Sequence, residues 1–144
     1  MQAEAFDAGG EIARLLAGRE DAGGLGCFIG TVRGGGVRAL RLEHYPGMTE
    51  RAMAAIAAEA ERRWSLLGCV LVHRVGRLLP GEGIVLVLAL SAHRGAALDA
   101  TSFLIDWLKT RAPFWKQEEE MDGTVSWVQS RAEDDTAASR WEEP

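Results

Sequence analysis

Lys109 and Lys116 are the only lysines in the chain, and they flank the run Ala112-Pro113-Phe114-Trp115. Of the 16 basic residues, the other 14 are arginines. A lysine ammonium is a compact point charge whose pKa falls on burial, which suits proton transfer and anion chemistry that a permanently charged guanidinium cannot perform. The structural alternative is a helix end, where cations favour the last turn and a following proline stops the helix. Three further basic residues fall at the ends of predicted elements: Arg33 where a strand stops, and His93 and Arg94 where a buried strand gives way to a helix. If these segments converge, two Arg, two Lys and a His line one pocket suited to a small phosphorylated or otherwise anionic ligand. Each also has a plain structural reading: Arg33 as the end of an edge strand, Arg94 as a first-turn residue, His93 as a cap. Phe114 and Trp115 read as core or interface anchors, and His44 and His73 as structural residues on strands.

The elements that must position these groups follow from periodicity. Residues 1–10 read as frayed, and Ile12, Leu15 and Leu16 give a short amphipathic helix closed by Gly18. Residues 26–33 read as a strand, Gly34-Gly35-Gly36 as a turn, and residues 37–45 as an alternating strand with Leu40 and Leu42 on one face. Thr49 is the expected N-cap of a helix ending near Trp64, with Met53, Ile56, Ala60 and Trp64 on one stripe. Residues 69–79 and 84–92 read as an antiparallel strand pair around Pro80-Gly81, the second buried on both faces because it does not alternate. A helix over 95–110 follows; Pro113 forces an extended path after it, residues 124–129 read as a last strand, and 131–144 as a short helix or tail. The order predicts one α+β domain over 1–144, with helices packed on a mostly antiparallel sheet and residues 1–10 and 132–144 flexible.

Composition narrows the function classes. The 144 residues are 47% hydrophobic and 26% charged, which is ordinary for a globular chain. A net charge of -5 excludes a broad nucleic-acid surface, so any anion site is local. The stretch from Lys109 to Lys116 supplies such a site, with Arg111 between them, no acid, and Glu118-Glu119-Glu120 directly after. Cys27 and Cys69 lie among apolar neighbours without metal-ligand spacing, so they read as buried free thiols in a reducing cytoplasm. No leader or membrane-length apolar run is visible.

Five segments in order, Gly30-Thr31-Val32-Arg33, Leu42-Glu43-His44-Tyr45-Pro46-Gly47-Met48, His73-Arg74-Val75-Gly76, Ser91-Ala92-His93-Arg94 and Leu108 to Lys116, closely resemble the catalytic large subunit of molybdopterin synthase, the MoaE family. The resemblance spans residues 26–131 and implies an α/β-hammerhead-type fold. It implies a sulfurtransferase of molybdenum cofactor biosynthesis that converts cyclic pyranopterin monophosphate (precursor Z) into the dithiolene-bearing molybdopterin. It further implies a small ubiquitin-like partner that carries the sulfur as a thiocarboxylate on a C-terminal Gly-Gly, and a dimer of large subunits with one small subunit at each end. Arg33, His93, Arg94, Lys109 and Lys116 then become substrate and catalytic positions, with Lys109 and Lys116 catalytic, and Thr31, Val32, Gln117 and Glu118 adjoin the pocket. No metal or resident cofactor is implied, since the sulfur arrives already activated, and the chain itself lacks a Gly-Gly terminus. The turn Gly34-Gly35-Gly36 is shorter than the family's, and Gln117 stands where a basic residue is common. Two other classes remain open on the residues alone: a binding module whose cationic patch receives a partner's carboxylate tail, and an enzyme acting on another small phosphate, for which no Walker loop or Ser-His-Asp pattern is present.

Overall fold

Gly83–Ser91, here β5, is apolar without alternation, and eight of its nine residues are buried. A strand of this kind must be covered on both faces and flanked on both edges. A computed structural model, which describes residues 1–128 and 131–142, provides that setting. β5 lies between β1 (Gly24–Thr31) and β3 (Gly68–His73), antiparallel to both. A second antiparallel sheet has the order β4 (Gly76–Leu78), β2 (Val37–His44), β6 (Phe114–Glu120), β7 (Val125–Val128). Helices α1 (Ala8–Leu16), α2 (Met48–Trp64), α3 (Arg94–Thr110) and α4 (Ala132–Ser139) complete the described chain. Leu42 and Leu78 of the second sheet meet Val85 and Val87 of the first, with Phe103, Leu104 and Leu108 of α3, in one buried cluster.

Close approach fixes α3 against β1. A Cβ at Gly26 would lie 2.1 Å from Thr101 Oγ1 and 2.5 Å from the Ala97 carbonyl oxygen, so only glycine admits the helix here. None of the helices of the described residues is long and apolar enough to cross a membrane.

The α+β class and the antiparallel pairing match the sequence reading, but the strands form two sheets rather than one. The strand expected over 69–79 is divided. β3 ends at His73, and Gly76, at φ +93°, starts β4 in the other sheet. Between them the Arg74 guanidinium donates to the carbonyls of Ala3 (2.9 Å) and Gly83 (3.2 Å), which pins the crossover. Residues 1–10, expected to fray, contribute here as well: Gln2 donates its backbone N–H to His73 and accepts from Val75, and Asp7 caps α1. Gly47, not Thr49, caps α2, because Glu50 reaches back to the Gly47 N–H at 2.6 Å. Thr49 is fully buried in the first turn, its hydroxyl between the carbonyls of Tyr45 and Pro113. β6 was not foreseen as a strand. It follows Pro113 and occupies an interior place between β2 and β7. Gln129 of the expected last strand, and residues 143–144 of the expected tail, lie outside the described residues.

Candidate active site

The ends of β1, α3 and β6 open on one cleft of about 540 Å³. β1 stops at Thr31 because the chain is then clamped sideways: Val32 N–H donates to the Glu82 carbonyl at 2.9 Å, and Gly81 N–H donates to the Val32 carbonyl at 2.8 Å. Val32 is 5% exposed and belongs to the core, so it serves the cleft as a wall and anchor. Thr31 and Arg33, on either side of it, are exposed at the rim. Lys109 comes from the last turn of α3, where a cation also complements the helix dipole. Lys116 comes from β6.

Alternation on β6 sorts its residues. Phe114, Lys116 and Glu118 share one face and all line the cleft, and Trp115 of the other face also contributes to the lining. Gln117, opposite Arg41 and Trp127 in the sheet, projects the other way and is not a cleft residue. Burial and, after it, the nearby Lys109 charge depress the Lys116 ammonium, Asp134 offsets part of this, and the net result is a value of about 8. Such a lysine exchanges a proton near neutral pH.

His93 and Arg94 do not join this cleft. They lie at the far end of β5 and at the start of α3, whereas Lys109 is in the last turn of that 17-residue helix. Fifteen residues of α-helix separate Arg94 from Lys109 by about 22 Å. The expected convergence of all five groups therefore holds for Arg33, Lys109 and Lys116 only, because β5 and α3 are each long enough to hold their two ends apart.

Among the charged residues of the cleft, three lie outside the predicted set: Arg131, Glu133 and Asp134, at the start of α4. With Arg33, Lys109, Lys116 and Glu118 they make four cations and three acids in the lining, more positive than the chain as a whole at -5. The signal was present in the acid-rich first turn after Arg131, but a polar terminal segment reads equally well as solvated tail. α4 is held in place by Asp106 of α3, which accepts from Trp141 Nε1 (2.6 Å) and Arg140 (3.0 Å). The cysteines stand apart from the cleft. Cys27 is exposed rather than buried, on the outer edge strand β1, and Cys69 is half-buried with its thiol pushed up to about 11 by burial.

Comparison with known proteins agrees with this architecture. The profile of the MoaE protein family matches residues 1–111. The molybdopterin synthase catalytic subunit of Pseudomonas aeruginosa is 52% identical over 99% of this chain and 97% of its own length. That of Mesorhizobium japonicum is 51% identical over 98% of this chain and 91% of its own length. Among solved structures, the molybdopterin biosynthesis MoaE protein of Burkholderia ambifaria superposes with a TM-score of 0.83 at 51% identity, covering 97% of this chain and 94% of that one. With its ordered motifs, its paired sheets and its lysine cleft, the chain belongs to the MoaE protein family.

Proposed function

We propose that the chain is the catalytic large subunit of a molybdopterin synthase, and that its chemistry occurs between Lys109, Lys116 and Arg33. The observation that carries this reading is that the chain's two lysines leave different elements, α3 and β6, and line the same cleft with Arg33. The substrate is cyclic pyranopterin monophosphate, and the sulfur donor is the C-terminal thiocarboxylate of a small ubiquitin-like subunit. The tail of that partner, ending in Gly-Gly, enters the cleft. The thiocarboxylate sulfur attacks a side-chain carbon of the pterin, and the carbon–sulfur bond forms as that carbon's bond to oxygen breaks. The oxygen leaves on the opened phosphate ester at one carbon and as water at its neighbour, where a second donor acts. Hydrolysis of each resulting thioester leaves the sulfur on the pterin and returns a carboxylate to the partner.

Lys109 and Lys116 offset the negative charge of the incoming tail, and Lys116, titrating at about 8, passes protons as bonds form. Arg33 holds the phosphate, with Thr31 and Glu118 completing the lining and Val32 and Gln117 supporting it from the core and the opposite strand face. His93 and Arg94 reach this substrate only from a second copy of the chain, which suits a dimer of large subunits with a small subunit at each end. No resident metal or cofactor takes part in this scheme, and its thiols are not reactants, consistent with a cytoplasmic setting.

The test is reconstitution. The chain, a thiocarboxylated small subunit and cyclic pyranopterin monophosphate should yield molybdopterin in stoichiometric amounts. Folded components that bind one another and give no product would refute the reading.

A further inference from the structure

One buried titratable group in the cleft has no role in this scheme. His73 closes β3, is 3% exposed, and lines the cleft with its ring centroid 4.3 Å from that of Phe114. Its Nδ1 lies 2.9 Å from the Arg74 carbonyl oxygen, which can only accept. Nδ1 therefore carries the ring proton, and Nε2 is left as an acceptor. Among the described residues the ring makes no other hydrogen bond. The Arg74 carbonyl is itself fixed, because the Arg74 side chain is held by Ala3 and Gly83. Lys116 stands two residues beyond Phe114, so both side chains leave β6 on the face that meets His73. Burial keeps the imidazole neutral, at about 4, and the charges of Lys116, the N-terminal ammonium and Lys109 reach it.

We propose that His73 is a positioning residue whose Nε2, unpartnered among the described residues, takes a hydrogen bond from the Lys116 ammonium when that flexible side chain turns onto it, and so aims Nζ at the reacting atoms. The proposal deepens the synthase reading and rests on it for the kinetic consequence, though not for the contact itself. A neutral acceptor differs from a carboxylate in this place: a carboxylate would lock Lys116 in its charged form, whereas an imidazole directs Nζ and leaves its proton transferable. The other charged groups of the cleft are Arg33 after β1, Lys109 on α3, Glu118 on β6, and Arg131, Glu133 and Asp134 at α4. Of these, Lys109 opposes the Lys116 charge and Asp134 favours it.

The scarcity of lysine makes the test direct, because isotope-labelled lysine gives two side-chain signals, assignable with Lys109→Arg. His73→Asn keeps an amide donor for the Arg74 carbonyl and removes Nε2; His73→Gln returns an amide oxygen to the neighbourhood of Nε2. In His73→Asn the Lys116 titration midpoint should fall by at least about half a pH unit, since a bond to the charged form is lost, and His73→Gln should recover most of it. Turnover should drop about tenfold in kcat with KM within about twofold, the pattern of a group acting in the transition state. An unchanged Lys116 midpoint in folded His73→Asn overturns the proposal. The contact can also be read from the other side: with labelled histidine, the His73 Nε2 resonance should move in Lys116→Met, and a resonance that stays put overturns the proposal even if His73→Asn does not fold. Should the midpoint and the resonance both move while the wild-type chain makes no molybdopterin, the contact stands and the synthase reading fails.

Discussion

Lys116 on β6 and Lys109 in the last turn of α3 share one cleft, where burial and, after it, the Lys109 charge bring the Lys116 ammonium down to about 8. A group with a depressed folded-state pKa of this kind binds its proton more weakly in the folded than in the unfolded chain. For a lysine the sign is unfavourable: the cost of holding the charge is fully present below pH 8 and is relieved as pH rises from about 8 towards the ordinary lysine value of 10.5.

Lys116→Met should therefore raise stability at pH 7, by ~1–3 kcal/mol, and this gain should vanish by about pH 10. Thermal melts of both proteins at the two pH values measure it. A variant less stable than wild type at pH 7 would show that the lysine is not an electrostatic burden.

Activity should separate the two kinds of cation. Lys109→Ala and Lys116→Ala are expected to lower product formation by about a hundredfold or more while affinity for the small subunit stays within a few-fold. Lys116→Arg keeps the charge without a transferable proton and should fall nearly as far. Arg33→Ala should act mainly on KM for the phosphorylated substrate. If the alanine variants lose partner binding and turnover in equal measure, the cleft is a docking site and the catalytic assignment is wrong.

The contact of α3 with β1 sets the position of Lys109 indirectly. Gly26→Val would drive carbon atoms into Thr101 Oγ1 and the Ala97 carbonyl, whose distances from a mere Cβ are 2.1 Å and 2.5 Å. A loss of about 2–4 kcal/mol is expected by chemical denaturation, with turnover falling in whatever fraction remains folded.

The thiols should prove dispensable and unequal. Cys27 is exposed and Cys69 is half-buried with its thiol held up at about 11. A maleimide at pH 7 should label Cys27 rapidly and Cys69 slowly, read by mass spectrometry. Cys27→Ala and Cys69→Ala should both keep turnover within a few-fold, and a large loss from either would contradict a sulfur route that starts on the partner.

The sequence disclosed the parts whose signals are local. The unalternating apolar run of β5, the amphipathic stripes of α2 and α3, and the extended path imposed by Pro113 all have periodic or steric causes that act within a few residues. Arg33, Lys109 and Lys116, singled out by residue type and motif, line one cleft. What stayed hidden depends on long-range pairing. β6 carries Lys116-Gln117-Glu118-Glu119-Glu120, a poor strand sequence on propensity, and it is a strand because β2 and β7 flank it. The break at Gly76 is a choice between two sheets, which no window of sequence registers. The motifs group His93 and Arg94 with the lysines but carry no distance, and the length of α3 separates them.

The concentration of both ε-amino groups in a single cleft gives the surface an unusual chemical blankness. Amine-directed electrophiles, which on most proteins scatter over dozens of sites, have here only the cleft and the chain's α-amino terminus to attack. Because Lys116 gives up its proton at about 8, a mildly alkaline acylating reagent would act as a site-directed inactivator without any targeting group of its own.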